Sequence, residues 1–179
     1  MAYLDECTTL ISAERIAERV AQIGKQITED YAGKELIVAC VLKGGFMFCA
    51  DLVRQISMPL KLDFISASSY GSGSTSTGNV RIFKDLEMDI KGKDLLLVED
   101  IVDSGTTIKT LRDMLLARDP ASIKVCALLD KPDRRKADIE ADYVCFAIPD
   151  EFVVGYGLDY DSRYRNLPDV MVLAPSEYL

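Results

Sequence analysis

Two stretches of the chain follow the same order of features: an apolar run of strand length, a glycine-containing turn and a run with helical spacing. The first has a continuous apolar run at 36–42 and turns at 43–45, and the second has one at 95–98 and turns at 103–107. Apolar runs without polar alternation are typical of parallel strands buried on both faces. The repetition predicts βαβ units and therefore an α/β domain whose mainly parallel sheet is flanked by helices.

The rest of the chain extends this pattern. Ser12 is placed to cap a helix whose apolar residues recur every three or four positions and which ends by Gly33. Further strands are predicted from the apolar runs at 60–64, 123–129, 143–148, 152–154 and 170–173. The two stretches share their order of features but not a repeated amino-acid sequence, and no linker-like stretch interrupts the 179 residues. We therefore predict a single domain spanning 1–179.

Composition argues against several function classes. The net charge of −8, from 21 basic and 29 acidic residues, disfavours a broad surface for nucleic acid or for anionic membranes. No stretch approaches the ~18 apolar residues of a membrane span, and the acidic start does not resemble a secretory signal. We therefore expect a cytoplasmic protein with small-molecule partners, bound to neither nucleic acid nor membrane.

The absence of histidine narrows the chemistry further. The chain has no histidine and no Cys-x-x-Cys pair, so a zinc site or a histidine-based triad has almost nothing to build from. Four of its five cysteines, Cys40, Cys49, Cys126 and Cys145, lie inside apolar runs. These residues are predicted to be buried free thiols.

One segment fits neither strand nor helix. Residues 71–79 are only Gly, Ser, Thr and Asn, and Ser69 and Tyr70 stand at the root of the segment. A stretch this polar cannot pack a core, so it is either a mobile lid over a site or an idle surface loop.

The most unusual polar residues follow the apolar run at 95–98, where ligands of open α/β sheets bind. Glu99 and Asp100 are adjacent carboxylates that would repel each other unless a cation such as magnesium or the hydroxyls of a sugar faced them; alternatively, both point to solvent. Residues 103–107 open a helix, and its free amides and hydroxyls suit a phosphate monoester. An ordinary N-cap by Asp103 or Ser104 would explain them equally well.

At this point the residues carry a resemblance. The stretch 98–107, Val-Glu-Asp-Ile-Val-Asp-Ser-Gly-Thr-Thr, resembles the phosphoribosyl-pyrophosphate signature of the type I phosphoribosyltransferases. The segments at 42–45, 69–79, 129–132 and 148–160 resemble, in the same order, the purine-salvage branch of that family, most closely the bacterial hypoxanthine (hypoxanthine-guanine) phosphoribosyltransferases.

The resemblance implies a magnesium-dependent enzyme. It would transfer the 5-phosphoribosyl group from phosphoribosyl pyrophosphate to hypoxanthine or guanine, giving IMP or GMP and pyrophosphate. The implied fold has a small C-terminal hood at about 131–179 that binds the purine and a flexible active-site loop at about 70–79. Homodimers or homotetramers are implied as well.

The resemblance also implies a role for each matching residue. Glu99 and Asp100 would hold the ribose hydroxyls and, with Asp159, magnesium, while Asp103 would act as general acid or base near the purine N7. The 5′-phosphate would be bound by Ser104, Gly105, Thr106 and Thr107. Pyrophosphate would be bound by Arg165 and by Lys43 and Gly44, which lie in a loop that often holds a non-proline cis peptide in this family. The purine would be bound by Lys131, Phe152, Val153 and Asp159.

Two other functions remain open from the sequence. A regulator on the same fold could sense phosphoribosyl pyrophosphate and bind RNA through the basic cluster Lys131, Arg134, Arg135 and Lys136. A phosphatase could use Asp100 or Asp103 as its nucleophile. For Lys131, an exposed surface lysine is the plain alternative to a purine contact.

Overall fold

The computed structural model describes residues 7–69, 80–174 and 176. Three helices and nine strands are defined in this part of the chain, and a short 3₁₀ helix follows the sixth strand. In chain order they are β1 Cys7–Ile11, α1 Ala13–Asp30, β2 Leu36–Leu42, α2 Phe46–Gln55, β3 Leu60–Ser69, β4 Val80–Lys84, β5 Asp94–Val102, α3 Thr106–Leu116, β6 Ser122–Asp130, the 3₁₀ helix Pro132–Arg134, β7 Tyr143–Ala147, β8 Val153–Val154 and β9 Val170–Leu173.

The central sheet has six strands in the order β4-β3-β2-β5-β6-β7. All neighbouring pairs are parallel except β3 with β4 at one edge. This is the mainly parallel α/β sheet that the sequence predicts. A second, antiparallel sheet of order β1-β9-β8 combines two predicted strands with Cys7–Ile11, which the sequence pattern does not reveal.

Both faces of the central sheet are buried, and β2 shows why its sequence is apolar throughout. Val38 and Cys40 face the core layer formed with α1 and α2, whereas Ile37, Ala39 and Val41 face the layer formed with α3. Each of these five side chains is at most 3% exposed. A strand covered on both faces has no position where a polar residue is favoured.

The first helix begins as its sequence predicts. The side chain of Ser12 accepts a hydrogen bond from the Arg15 amide at 3.5 Å, and the buried face of α1 includes Ile16, Val20 and Ile23. The helix ends at Asp30, before Gly33. In the part of the chain that the structure describes, no helix has the length and apolar character needed to cross a membrane.

The fifth strand differs from its predicted limits in a way that matters for the site. The apolar run at 95–98 is only the middle of β5, which continues to Val102. Glu99 and Asp100 therefore lie within the strand rather than in the turn after it. Their backbone is fixed by the neighbouring strands, and Glu99 pairs in register with Ala127 of β6.

Candidate active site

Two cavities open where the parallel strands end, and they share one wall formed by Ile101 and Asp103. The first has a volume of about 350 Å³ and the second about 380 Å³. The predicted residues that line the first cavity are Lys43, Gly44, Glu99, Asp100, Asp103, Ser104, Gly105, Thr107, Asp159 and Arg165. Those that line the second are Asp103, Lys131, Phe152 and Val153.

The carboxylate pair of β5 forms the floor of the first cavity. Glu99 is 8% exposed, and its Oε1 accepts a hydrogen bond from the Asp100 amide at 3.2 Å. Burial, followed by the nearby charge of Asp100, raises the pKa of Glu99 well above its ordinary value. Two carboxylates in this setting repel each other, so the pair favours a ligand that brings positive charge or hydroxyl donors.

The turn after β2 approaches this pair closely. At Gly44 there is no room for a side chain, because a Cβ there would overlap Oδ2 of Asp100. The peptide bond between Leu42 and Lys43 is cis, a feature that the family resemblance leads one to expect in this loop. Lys43 itself is exposed. The loop thus places its backbone and a lysine along one side of the first cavity.

The start of α3 forms another side of the same cavity. Its N-cap residue is Gly105, with φ of +79°, and not Asp103 or Ser104. The Ser104 hydroxyl accepts a hydrogen bond from the Thr106 amide at 3.4 Å and donates one to the Thr106 hydroxyl at 3.2 Å. Thr107 lines the cavity whereas Thr106 does not. The amide end of a helix facing a cavity suits an anion, because the helix dipole is positive there.

Asp103 lies in the wall between the two cavities and lines both of them. Its Oδ1 is buried and receives no hydrogen bond from the residues that the structure describes. The same atom lies 2.7 Å from Nε of Arg134, so this contact is an ion pair without hydrogen-bond geometry. The carboxylate is therefore near a cation but can still accept a hydrogen bond from a ligand.

Lys131 is buried rather than exposed at the surface. It follows β6 directly, is only 7% exposed, and its Nζ donates a hydrogen bond to the backbone oxygen of Glu151 at 2.6 Å. A carboxylate oxygen of Asp150 lies 3.7 Å from the same nitrogen. An ammonium held in the wall of a cavity by these acceptors still has donor capacity for a ligand, since it carries three N–H bonds.

The aromatic wall of the second cavity is Phe152. Its ring packs edge-on against Tyr160 with 5.6 Å between the ring centroids, and the neighbouring Val153 is 7% exposed. Asp159, predicted to contact both magnesium and the purine, lines the first cavity and not the second. Its Oδ1 lies 2.6 Å from Nη2 of Arg165. Arg165 also donates a hydrogen bond through Nη1 to the backbone oxygen of Gly157.

Two site residues were missed by reasoning from the sequence, which placed them only in a basic cluster. Arg134 lines the second cavity and pairs with Asp103 and Asp150. Arg135 is ion-paired with Asp130 and donates to the backbone oxygen of Asp103 at 2.6 Å. Their place in the sequence, directly after Pro132 and Asp133, carries no recognisable signal, because only the fold brings them to the turn after β5.

The pairing of these residues weakens the RNA-binding alternative. Of the four residues in the basic cluster, Lys131 is buried, and Arg134 and Arg135 are paired with carboxylates. Lys136 is exposed. Cations neutralised by neighbouring carboxylates contribute little to attracting phosphates.

The donor set of the first cavity can be tested against magnesium. Among the residues that the structure describes, no three Asp, Glu, Cys or His side chains converge into a metal-binding cluster. Magnesium is usually held by one or two carboxylates together with water and substrate oxygens. The pair Glu99 and Asp100 meets that requirement, and the cavity beside it leaves room for the other oxygens.

The proposed loop cannot be placed in the same way. Ser69 is the last residue of β3, where its backbone pairs with Val80 of β4. Tyr70 and residues 71–79 lie outside the described residues. The lid hypothesis therefore stays a prediction.

The prediction of buried free thiols is confirmed for Cys40, Cys49, Cys126 and Cys145, and Cys7 is buried as well. Cys40, Cys49, Cys126 and Cys145 lie in one hydrophobic core layer. None of them lines either cavity. The described thiols are thus part of the packing and not of the site.

Comparison with known proteins gives the same assignment as the geometry. The phosphoribosyl transferase domain family matches residues 8–161. The chain is 52% identical, over 163 residues, to a hypoxanthine phosphoribosyltransferase of Salmonella typhimurium, covering 90% of this chain and 92% of the relative. It is 48% identical to a hypoxanthine-guanine phosphoribosyltransferase of Streptococcus thermophilus, covering 94% of each chain.

A solved structure extends the similarity to the whole fold. The crystal structure of a hypoxanthine phosphoribosyltransferase from Staphylococcus aureus superposes with a TM-score of 0.97 at 47% identity, covering 100% of this chain and 98% of that one. The family model matches most of the chain, and relatives at about half identity cover at least 90% of it. Together with the two cavities that share Asp103 at the ends of a parallel sheet, these matches show that the chain belongs to the phosphoribosyltransferase family.

Proposed function

We propose that this enzyme transfers the 5-phosphoribosyl group of phosphoribosyl pyrophosphate to hypoxanthine or guanine, releasing pyrophosphate and forming IMP or GMP. The observation that carries the proposal is the pair of adjoining cavities with Asp103 in their common wall. One cavity has groups suited to phosphates and a sugar, and the other has an aromatic ring and a buried ammonium suited to a 6-oxopurine. Two substrates bound there would meet at Asp103.

In the first cavity, the start of α3 would bind the 5′-phosphate through its backbone amides and the hydroxyls of Ser104 and Thr107. Glu99 and Asp100 would accept hydrogen bonds from the ribose hydroxyls, which would place C1 of the ribose toward the second cavity. Lys43 and Arg165 would stabilise the negative charge that develops on the departing pyrophosphate.

In the second cavity, Phe152 would stack on the purine and the backbone of Val153 would contact its edge. Lys131 would donate a hydrogen bond to the 6-oxo group. Adenine has an amino group there, which is itself a donor, so the same lysine would disfavour it. Asp103 would accept the proton that the purine loses as its nitrogen attacks C1, and would return that proton to the purine in the reverse reaction.

Magnesium is the cofactor that fits this site. Glu99 and Asp100 would hold it, and Asp159 borders the same cavity. When bound, the ion would neutralise charge on the pyrophosphate and the carboxylates. Because Asp159 is paired with Arg165, its share in this binding depends on whether that pair opens when substrate arrives.

We also propose that the enzyme acts in the cytoplasm and as a homodimer or homotetramer. Phe46 of α2 and Phe83 of β4 are large exposed apolar side chains, 37% and 61% exposed. Phe46 borders an apolar depression together with Leu42 and Phe64. Exposed apolar surface of this kind is typical of protein interfaces. Sedimentation equilibrium of the purified protein tests the assembly directly.

The function is tested by incubating the purified protein with magnesium, phosphoribosyl pyrophosphate and one of four purines, and measuring the nucleotide formed. We expect turnover with hypoxanthine, guanine or both, and little or none with adenine. Activity with xanthine would show whether the site accepts an oxo group at position 2 of the purine. Tight binding of phosphoribosyl pyrophosphate without any turnover would instead favour the regulator. An aspartyl-phosphate trapped on the protein would favour the phosphatase.

A further inference from the structure

The side chain of Arg134 lines the second cavity and pairs with two carboxylates that line it as well. On one side, its Nε lies 2.7 Å from Oδ1 of Asp103. On the other, its Nη1 lies 3.1 and 3.2 Å from the two carboxylate oxygens of Asp150. The guanidinium thus connects the turn after β5 with the segment that leads into β8, two parts of the chain that the sequence separates by 47 positions.

The backbone that carries Arg134 is fixed in place. It ends the 3₁₀ helix Pro132–Arg134, which begins with a proline, and its amide donates a hydrogen bond to the carbonyl of Lys131 at 3.2 Å. The planar guanidinium is a rigid fork, so two carboxylates bound to different nitrogens have a defined distance and orientation. A lysine in the same place would offer only a single point charge.

The carboxylate of Asp103 depends on this contact for its orientation. Of the residues that the structure describes, Arg134 is the one cation paired with it, and Oδ1 receives no hydrogen bond. A side chain in the wall between two substrates needs a restraint on its rotation, because misplacement by about 1 Å can lower the rate substantially. Arg134 is placed to supply that restraint, because it pairs directly with Oδ1.

We propose that Arg134 is a positioning residue for phosphoribosyl transfer, which bridges Asp103 and Asp150 and so holds the Asp103 carboxylate toward the purine. This role rests on the function proposed above. Arg134 would act through Asp103 and would not itself contact the reacting atoms. The pair is half-exposed, with 48% of the Arg134 side chain and 43% of the Asp103 side chain accessible. Ion pairs of this exposure contribute little to stability, so the residue matters for activity more than for folding.

The first measurement compares Arg134→Gln with the wild-type enzyme in steady-state kinetics. We expect kcat with hypoxanthine to fall by roughly 10-fold or more, while KM for phosphoribosyl pyrophosphate changes by less than about 2-fold, since the lost restraint acts in the transition state. Arg134→Lys should recover only part of the loss, because it cannot bridge both carboxylates. Thermal unfolding of both variants should stay within about 2 °C of the wild type.

The matched control is Arg54→Gln, which removes the same charge from an exposed arginine on α2 that pairs with Asp51. Its kinetics should equal those of the wild type. An equal fall of kcat in both variants would show that net charge matters and would overturn the positioning role.

A double-variant cycle separates an indirect role from direct substrate contact. If Arg134 acts through Asp103, then adding Arg134→Gln to Asp103→Asn should lower kcat no further than Asp103→Asn alone. If the two losses multiply, Arg134 contacts substrate independently and the proposal is wrong. Undiminished kcat in Arg134→Gln, with an active wild type, also overturns it. A wild-type enzyme that forms no nucleotide would overturn the proposed function, and the role of Arg134 with it.

Discussion

Gly44 and Asp100 lie so close together that a Cβ on the glycine would overlap the carboxylate oxygen Oδ2. One residue follows β2 and the other lies near the end of β5, so the contact joins two neighbouring strands at the edge where ligands of parallel sheets bind. The turn can approach the carboxylate only because its residue has no side chain.

This contact predicts that Gly44→Ala disables substrate binding. The methyl group would push Asp100 or the turn out of place, and we expect KM for phosphoribosyl pyrophosphate to rise by roughly 10-fold or more. Gly92→Ala is the control, because a Cβ there meets no atom of the described residues within 4 Å. The φ of Gly92, +68°, is itself unfavourable for alanine, so this variant costs stability without an overlap. That control should lose about 1–2 kcal/mol of stability and keep its KM. An unchanged KM in Gly44→Ala would show that the close approach is irrelevant to binding.

The burial of Lys131 predicts a specific change in purine preference. Replacing it with Gln removes a charged donor from the cavity wall, a loss of about 1.5–3 kcal/mol, so kcat/KM for hypoxanthine should fall by roughly 10- to 100-fold. The ratio of hypoxanthine to adenine activity should fall with it. Lys136→Gln changes an exposed lysine nearby and should alter neither value. If Lys131→Gln retained the wild-type ratio, another group would have to read the 6-position.

The carboxylate pair predicts a pH-dependent stability in the metal-free protein. Because burial raises the pKa of Glu99 above its ordinary value of 4.5, the folded state binds a proton more tightly than the unfolded state. Its contribution to stability is complete below pH 4.5 and is lost as the pH rises toward the folded-state pKa. Glu99→Gln removes this dependence.

The measurement is the free energy of unfolding in urea, without magnesium, at about pH 5 and pH 8. The free energy of unfolding of Glu99→Gln, relative to that of the wild type, should be larger at the higher pH than at the lower pH. Glu18→Gln, an exposed position on α1, serves as the control and should show no such difference. The same difference in both variants would argue against Glu99 as its source.

The five buried thiols are predicted to be unreactive in the folded protein. A hydrogen bond to Cys49, followed by burial, raises the pKa of Cys40, and burial raises that of Cys126 and raises that of Cys145 to about 12. Only the thiolate attacks an aromatic disulfide reagent, and little of it forms at pH 8. Titration should therefore detect slow modification in buffer and five rapid equivalents in guanidinium chloride. Rapid reaction of the native protein would show that a thiol is accessible.

Most strands of the central sheet could be predicted from local sequence patterns, and the structure confirms them. The apolar run at 36–42 specifies a strand buried on both faces, because every side chain in it meets a hydrophobic layer. Ser12 marks the start of α1 by the same hydrogen bond that a sequence pattern predicts. Short strands were harder: Cys7–Ile11 has little periodicity, and its partner β9 lies more than 150 positions away.

Some features of the site could likewise be predicted from the sequence, and others could not. The adjacency of Glu99 and Asp100 and the glycine and hydroxyl residues at 104–107 are sequence-local, and their chemistry could be inferred from residue type and order. The burial of Lys131, the N-cap at Gly105 and the bridge from Arg134 to Asp103 and Asp150 could not. Burial and ion pairing depend on which segments meet in space, and only the packed strands and turns bring residues from distant positions to one cavity.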